Sequence, residues 1–334
     1  MTGAAQATAK APAQPIEIIV PFGPGGGADQ LARMAAPRLQ ALLKTPVTVT
    51  NVPGATGATG IAQLLERPAD GRTLAVLTAD TFSLLALTPP PWRLEDIEPL
   101  AVMIRQPSGL FVAGNSPIKT WADFEKAAKA DPYGLEVAIT GPGSPDDITI
   151  AYFAAQGVRL FPVVFDYPAN RYHAVVSGKV DALYEQAGDV KAYLDKGELR
   201  PILFFSAGTP PEFKDVPAAA ERDYDITLQQ FRAFVVKAGT DPQAVGRLAE
   251  AIGELTKTSE YQTYLQEQFA LPDSHLPREK ALAFLQNELE ETKKMADSVA
   301  YMPVQFKNQA VAPEPCNWGA TDPCLEIDMT EEGQ

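Results

Sequence analysis

Residues 16–22 (IEIIVPF) form a short, β-branched apolar run, which predicts a buried strand. It passes straight into the glycine-rich stretch Gly23, Pro24, Gly25, Gly26, Gly27. A helical pattern follows over 29–43, with Leu31, Met34, Ala35, Leu39 and Leu42 on one face. Pro37 lies inside it; proline removes a donor and crowds the preceding turn, so a kink or two shorter helices are expected. Residues 47–50 predict a second strand, 51–60 (NVPGATGATG) a second glycine-rich loop and 61–66 a helix. Asp70 and Gly71 mark a turn feeding a third strand at 73–78. Strands alternating with helices at this spacing imply an α/β fold with a parallel sheet and crossover helices.

A second α/β unit begins after residues 105–108. Strands are expected at 110–113 and 136–140 around a helix at 121–130; a loop at 141–147 then precedes a helix at 148–156. A strand at 163–167, a helix through 172–176, a strand at 180–183 and a closing segment at 199–205 complete the unit. The last third reads as helices at 242–255, 259–268 and 277–300, with Leu282, Leu285, Leu289 and Ala296 forming one apolar face against a sheet. Beyond Lys307 there is no basic residue, and residues 306–334 read as an acidic, solvated extension.

The chain has 334 residues, 46% of them hydrophobic and 21% charged, enough for cores in two domains. No stretch approaches the roughly 18 apolar residues of a spanning helix. A net charge of −14 argues against a nucleic-acid partner. Only His173 and His275 are available for histidine ligation, and neither a CxxC motif nor a four-ligand zinc pattern occurs, so no metal or cofactor is expected. Residues 1–14 lack an apolar centre and do not form an intact secretory signal; they read as a flexible mature terminus from which a leader has been removed. Cys316 and Cys324, in CNWGATDPC, suggest a small disulfide loop in an oxidising compartment, against the alternative of two free thiols.

The strongest chemical signal is the pair of glycine-rich strand-to-helix loops. Glycines let a ligand approach main-chain N–H groups closely, and the unsatisfied amides and dipole of a helix start favour an anion. Gly23, Gly25 and Ala28 fit a dinucleotide fingerprint, but the next strand ends in Thr50 and Asn51, where a ribose needs an acidic partner. No Gly-Lys-Ser/Thr follows the glycines and no G-x-S-x-G elbow occurs, so the chain is expected not to be an enzyme. The competing reading is an α/β enzyme, or a flavin or nucleotide binder, using the same loops.

IEIIVPFGPGGGADQLAR (16–33), NVPGATGATG (51–60) and the turn and strand from Asp70 to Leu74 resemble the substrate-binding proteins of tripartite tricarboxylate transporters, the Bug receptors. TGPGS (140–144), SGKVDALY (177–184), KGELRPILFFS (196–206) and FRAFVVKAGTDPQAV (231–245) continue the resemblance, which covers residues 15–305. It implies a type II periplasmic-binding-protein fold: two α/β domains, joined by a two-strand hinge near 103–106 and 224–228, closing over a small ligand. Domain 1 would comprise 15–105 plus 225–305, and domain 2 residues 106–224. It also implies a monomeric periplasmic receptor for a small organic acid (mono- or dicarboxylate, aromatic acids included) that delivers it to membrane transporter subunits.

Carried onto this chain, the carboxylate-binding role falls to Phe22, Gly26, Gly27, Ala55, Thr56, Gly57, Ala58 and Thr59, joined by Thr78 and Asp80. Specificity would come from Ser144, Asp146, Tyr167, Asn170, Arg171, Asp181 and Glu185. The chain departs from the family where a Tyr-x-Gly-Gly loop is common, reading Tyr167, Pro168, Ala169, Asn170, Arg171, and it has Asp146 and Asp147 after the serine loop. Arg171 is then either a bidentate clamp for a distal carboxylate or a solvated loop residue. Asp146 or Glu185 would accept from an amino or hydroxyl group of the ligand. Asp29 is expected to cap the first helix, Asp181 to brace its strand, and His173 to lie on a helix surface. Trp92, Trp121 and Trp318 fall outside the loops and are assigned to packing.

Overall fold

The computed structural model describes residues 14–226 and 228–301. Cys316, Cys324, Trp318 and the acidic extension lie outside the described residues.

In chain order the elements are β1 (Ile16–Val20), α1 (Gly27–Leu43), β2 (Val47–Asn51), α2 (Ala58–Glu66), β3 (Thr73–Thr78), α3 (Ala79–Leu87), β4 (Ile97–Ala113), α4 (Trp121–Ala130), β5 (Glu136–Ile139) and α5 (Pro145–Ala155). Then come β6 (Phe161–Val164), α6 (Pro168–Val176), β7 (Ala182–Gln186), α7 (Lys191–Asp195), β8 (Leu199–Phe205), β9 (Gln229–Lys237), α8 (Pro242–Leu255), α9 (Ser259–Glu267), β10 (Leu276–Pro277) and α10 (Arg278–Ser298). The strands are ordered β2-β1-β3-β9-β4-β7-β5-β6, with β8 and β10 also on β4. The expected parallel pairs are present, β1 with β2 and β3, and β5 with β6 and β7. The sheet is nevertheless mixed, because β9 and β4 enter between these sets antiparallel to their neighbours. β4 pairs with β9 along 97–107 and with β7 and β8 along 108–113.

The apolar run at β1 is continuous because both faces are covered. Ile18 and Val20 pack with Leu31, Ala35 and Leu39 of α1 and with α8 and α9, whereas Ile19 packs with Ile61 and Leu64 of α2, Phe82 of α3 and Leu285 of α10. A further cluster joins Phe111, Ala138, Val163 and Leu183 to Tyr172 and Val175 of α6. Trp92 and Trp121 are buried, and Trp121 packs against Phe124, Phe153 and Tyr224.

Several expectations are corrected. α1 is one helix through Pro37 rather than two shorter ones; the proline lies on the exposed face, where the lost donor bond opens to solvent. Leu42 is exposed at its end, and Leu282 is exposed on α10, where Ala281 takes the buried position beside Leu285. α5 starts at Pro145 with Ser144 as its N-cap, so Asp146 and Asp147 belong to its first turn rather than to a loop. α6 likewise starts at Pro168, placing Asn170 and Arg171 on a helix, and β7 runs on to Gln186 and includes Glu185. α3 is an additional helix: its first six residues are all buried, so the 3.6-residue alternation that would reveal it is missing.

Candidate ligand-binding site

Phe22 beyond β1, Thr78 at the end of β3, Thr140 beyond β5, and Phe165 and Asp166 beyond β6 all reach one cavity, so it lies at the carboxyl ends of these strands. Gly26, Gly27, Asp80, Arg171, Tyr172, Tyr184, Glu185, Gln186, Asp189, Gln230 and Arg232 also line it. Its volume is about 40 Å³, room for about three water molecules at ~10–15 Å³ each.

The first loop gives α1 an open start. Gly26 is the N-cap and no side chain caps the helix. Asp29 is therefore not the cap: it sits within the first turn, accepts from Gly25 N at 3.0 Å, and takes further bonds from Arg33 Nε at 2.8 Å and Asn51 Nδ2 at 3.0 Å. Asn51 also donates to Phe22 O at 3.0 Å, which ties the loop to the end of β2. The glycines are demanded by contact: a Cβ on Gly26 would lie 2.7 Å from Pro168, and one on Gly27 would lie 2.0 Å from Arg232 Nη2.

The second loop does something else. Ala55, Thr56, Gly57, Ala58 and Thr59 are not among the lining residues. Ala55 and Thr56 hold left-handed φ values of 50° and 52°, and Thr56 Oγ1 donates to Pro142 O at 3.1 Å. Ser83 Oγ of α3 donates to the neighbouring Gly143 O at 2.5 Å, and Tyr301 hydrogen-bonds Asp147 and accepts from Gly143 N at 3.0 Å. Residues 141–143 are thus strapped down from three sides.

Of the expected specificity residues, Arg171 and Glu185 line the cavity. Ser144 is committed to capping α5, donating to Gly141 O at 2.6 Å and accepting from Asp147 N at 3.3 Å. Asp146 accepts from Thr140 N at 2.6 Å behind the cavity wall. Tyr167 packs its ring on Gly23, and Asn170 is exposed. Asp181 is exposed at the start of β7, accepting from Glu136 N at 2.8 Å, and His173 is exposed on α6. Arg171 is not solvated: it is buried, donating to Glu185 and to Thr140 Oγ1, while its Nε has no hydrogen-bond partner.

A second buried pair, Arg232 of β9 with Asp189, went unread in the sequence. Arg232 also donates to Gln106 Oε1 and to Gln186 Oε1, the latter at 3.1 Å, while Gln230 Nε2 donates to Asp80 at 2.7 Å. An arginine inside the apolar run of FRAFVVK was the available signal, since a buried strand does not carry a charge without a partner.

Electrostatically the site is crowded with acids. Burial pushes Asp80 up to about 7, aided by Asp146 and Glu185 and opposed by Arg171 and Gln230. Burial likewise raises Asp189 to about 7 against the pull of Arg232, and Asp147 to about 6 against the Tyr301 bond. For Arg171, burial works against the charge, but Glu185, Asp146 and Asp80 outweigh it and hold the guanidinium protonated. Among the described residues no group of three or more His, Cys, Asp or Glu is arranged to hold a metal ion, and no helix is long and apolar enough to cross a membrane.

A model of the tripartite tricarboxylate transporter family receptor matches residues 31–300. The chain belongs to that receptor family. BugT of Bordetella pertussis is 28% identical over 288 residues, covering 84% of this chain and 87% of its own. The structure of MatC from Rhodopseudomonas palustris with bound malate is similar at a TM-score of 0.79 and 23% identity, covering 85% of this chain and 99% of that one. The R. palustris protein Rpa4515 with adipate gives 0.80 and 23%, covering 87% and 99%. The α/β fold of this receptor family's periplasmic binding proteins, anticipated from the sequence, is the fold of this chain.

Proposed function

We propose that this chain is a monomeric periplasmic receptor that captures a small organic carboxylate and hands it to the membrane subunits of a tripartite transporter, without catalysis. The observation that carries the reading is the uncapped first turn of α1, whose glycine-bounded amides open onto a buried polar cavity at the carboxyl ends of four strands. The malate and adipate named for two related structures are ligands of this chemical class. Phe22, Gly26, Gly27, Thr78, Asp80, Arg171 and Glu185 are the proposed ligand contacts, with Arg232 and Gln230 added; Thr56 and its loop act instead as a strap.

In this reading residues 15–105 with 225–305 form one lobe and 106–224 the other, hinged where β4 changes partners and across 224–228. The lobes would part to load and shut around the ligand. A ligand touching both lobes only when they are shut favours that state by its differential affinity. Net charge does not forbid an anion, because exposed charges are screened beyond about 8 Å at physiological salt, and each hydrogen bond to a charged group contributes about 1.5–3 kcal/mol.

Thermal shift and calorimetry with malate, adipate, aromatic acids and ATP test the reading, together with an absorption scan for flavin. A binding carboxylate at a hundred times its Kd should stabilise by about 2.7 kcal/mol. A visible flavin band, or nucleotide binding with no response to any carboxylate, would establish the cofactor-binding alternative instead.

A further inference from the structure

The connector between α9 and β10 reaches out of the first proposed lobe into the second. Phe269 packs against the cluster that holds Phe111, Leu183 and Phe204. Its ring centre lies 5.0 Å from that of Phe213, which in turn lies 5.0 Å from Phe204. Its backbone is held at a left-handed φ of 49°, which a bulky residue rarely adopts and which persists only where the surroundings enforce it. Gln268 is buried beside it, and a Cβ on Gly188 would lie 2.3 Å from the Gln268 Cα, so the two segments meet backbone to backbone. Gln268 Nε2 also donates to Gln30 Oε1 at 2.9 Å, and Gln30 Nε2 donates to Asp189 O at 3.2 Å.

The same connector is tied to the crossing strand. Gln106 Nε2 donates to Gln268 O at 2.6 Å, and Leu271 N donates to Arg105 O at 2.8 Å. β4 is thus gripped at the two residues where it would pass from one lobe to the other. The remaining contacts across the cleft are of other kinds. Residues 141–143 are held by the hydroxyls of Thr56, Ser83 and Tyr301, bonds that water replaces at modest net cost. Tyr167 and Pro168 rest on Gly23 and Gly26, which carry no side chains to interlock with them. Water does not replace the apolar seat of Phe269.

Resting on the receptor reading above, we propose that Gln268 and Phe269 form a fixed pivot, seated in the second lobe whether the receptor is loaded or empty, while the cleft opens along 141–143 and 167–168. Phe269 is not among the cavity-lining residues, yet it sets the angle at which the lobes meet. Affinity is then adjustable from outside the cavity. A looser seat lowers the fraction of molecules able to shut, and that scales every apparent Kd by the same factor.

Dipolar EPR spectroscopy on the doubly spin-labelled full chain tests this, with Cys316→Ser and Cys324→Ser removing the native thiols. One label pair, Lys214→Cys with Glu267→Cys, flanks the seat at exposed positions; the other, Thr59→Cys with Asn170→Cys, flanks the opening edge. Distances are measured without ligand and with whichever of malate, adipate and benzoate raises Tm most. The acid should shorten the 59–170 distance by well over about 2 Å, the scale of a genuine rearrangement, and leave the 214–267 distance within that limit. In calorimetry Phe269→Ala should weaken each binding acid by the same factor, about tenfold, and Phe269→Leu, which refills the seat, should restore affinity to within about threefold. A 214–267 change as large as the other, an unmoved 59–170 pair in a protein that binds, or a loss that differs from acid to acid would overturn the inference and leave the receptor reading standing. No stabilisation by any of the acids would overturn the receptor reading and this inference with it.

Discussion

Gly27 has no space for a side chain, since an added Cβ would lie 2.0 Å from Arg232 and 2.3 Å from Asp189. Gly27→Ala must displace that buried pair, so a loss of about 1–3 kcal/mol in denaturant unfolding is expected, together with loss of ligand response in calorimetry. Gly25 gives a contrast: its φ is +89°, yet nothing lies within 4 Å of an added Cβ. Gly25→Ala should therefore cost only the backbone penalty, about 1–2 kcal/mol. Arg171→Ala strands Glu185, which is 3% exposed, and should destabilise by about 3–5 kcal/mol. Adding Glu185→Gln should recover much of that loss in the same unfolding experiment, because the orphaned charge is then removed.

At the scale of elements, the strap over 141–143 is held by Thr56, Ser83 and Tyr301. Ser83→Ala combined with Thr56→Val should speed amide hydrogen exchange across 140–147 by about tenfold, read by mass spectrometry, with little change in β1 or β3. The first loop and the strands at β1 and β3 were legible because short apolar runs bounded by glycine have few other readings. The helix starts of α5 and α6 were placed late, since Pro145 and Pro168 at the first helical turn look locally like loop residues. The position of β9 was not legible, because it is set by pairing with β3 and β4 across a long sequence separation. Arg232 and Asp189 were missed with it: they meet only once β9 lies beside β4. For loop 2 the glycine content reports backbone freedom and not what the backbone faces; here Thr56 turns to Pro142.

For the whole molecule, the acids raised by burial set the pH response. Asp80 and Asp189 at about 7, and Asp147 and Glu288 at about 6, keep protons in the folded state that the unfolded chain has already released near pH 4. The folded state therefore binds more protons across roughly pH 4–7, and stability falls as pH rises through that window. Calorimetric melting should show a Tm several degrees lower at pH 8 than at pH 5.5. Asp80→Asn should flatten part of that slope.

The bonds that strap residues 141–143 are made by the chain's own groups, so part of the grip is independent of cargo. If this strap joins the two lobes as proposed, silhouette alone is a poor signal of whether a molecule is full. Unladen copies would then crowd the same membrane berth as laden ones, and overproducing the protein would slow uptake once berths are scarce. Relaxing the strap through Ser83→Ala should relieve that congestion in a transport assay.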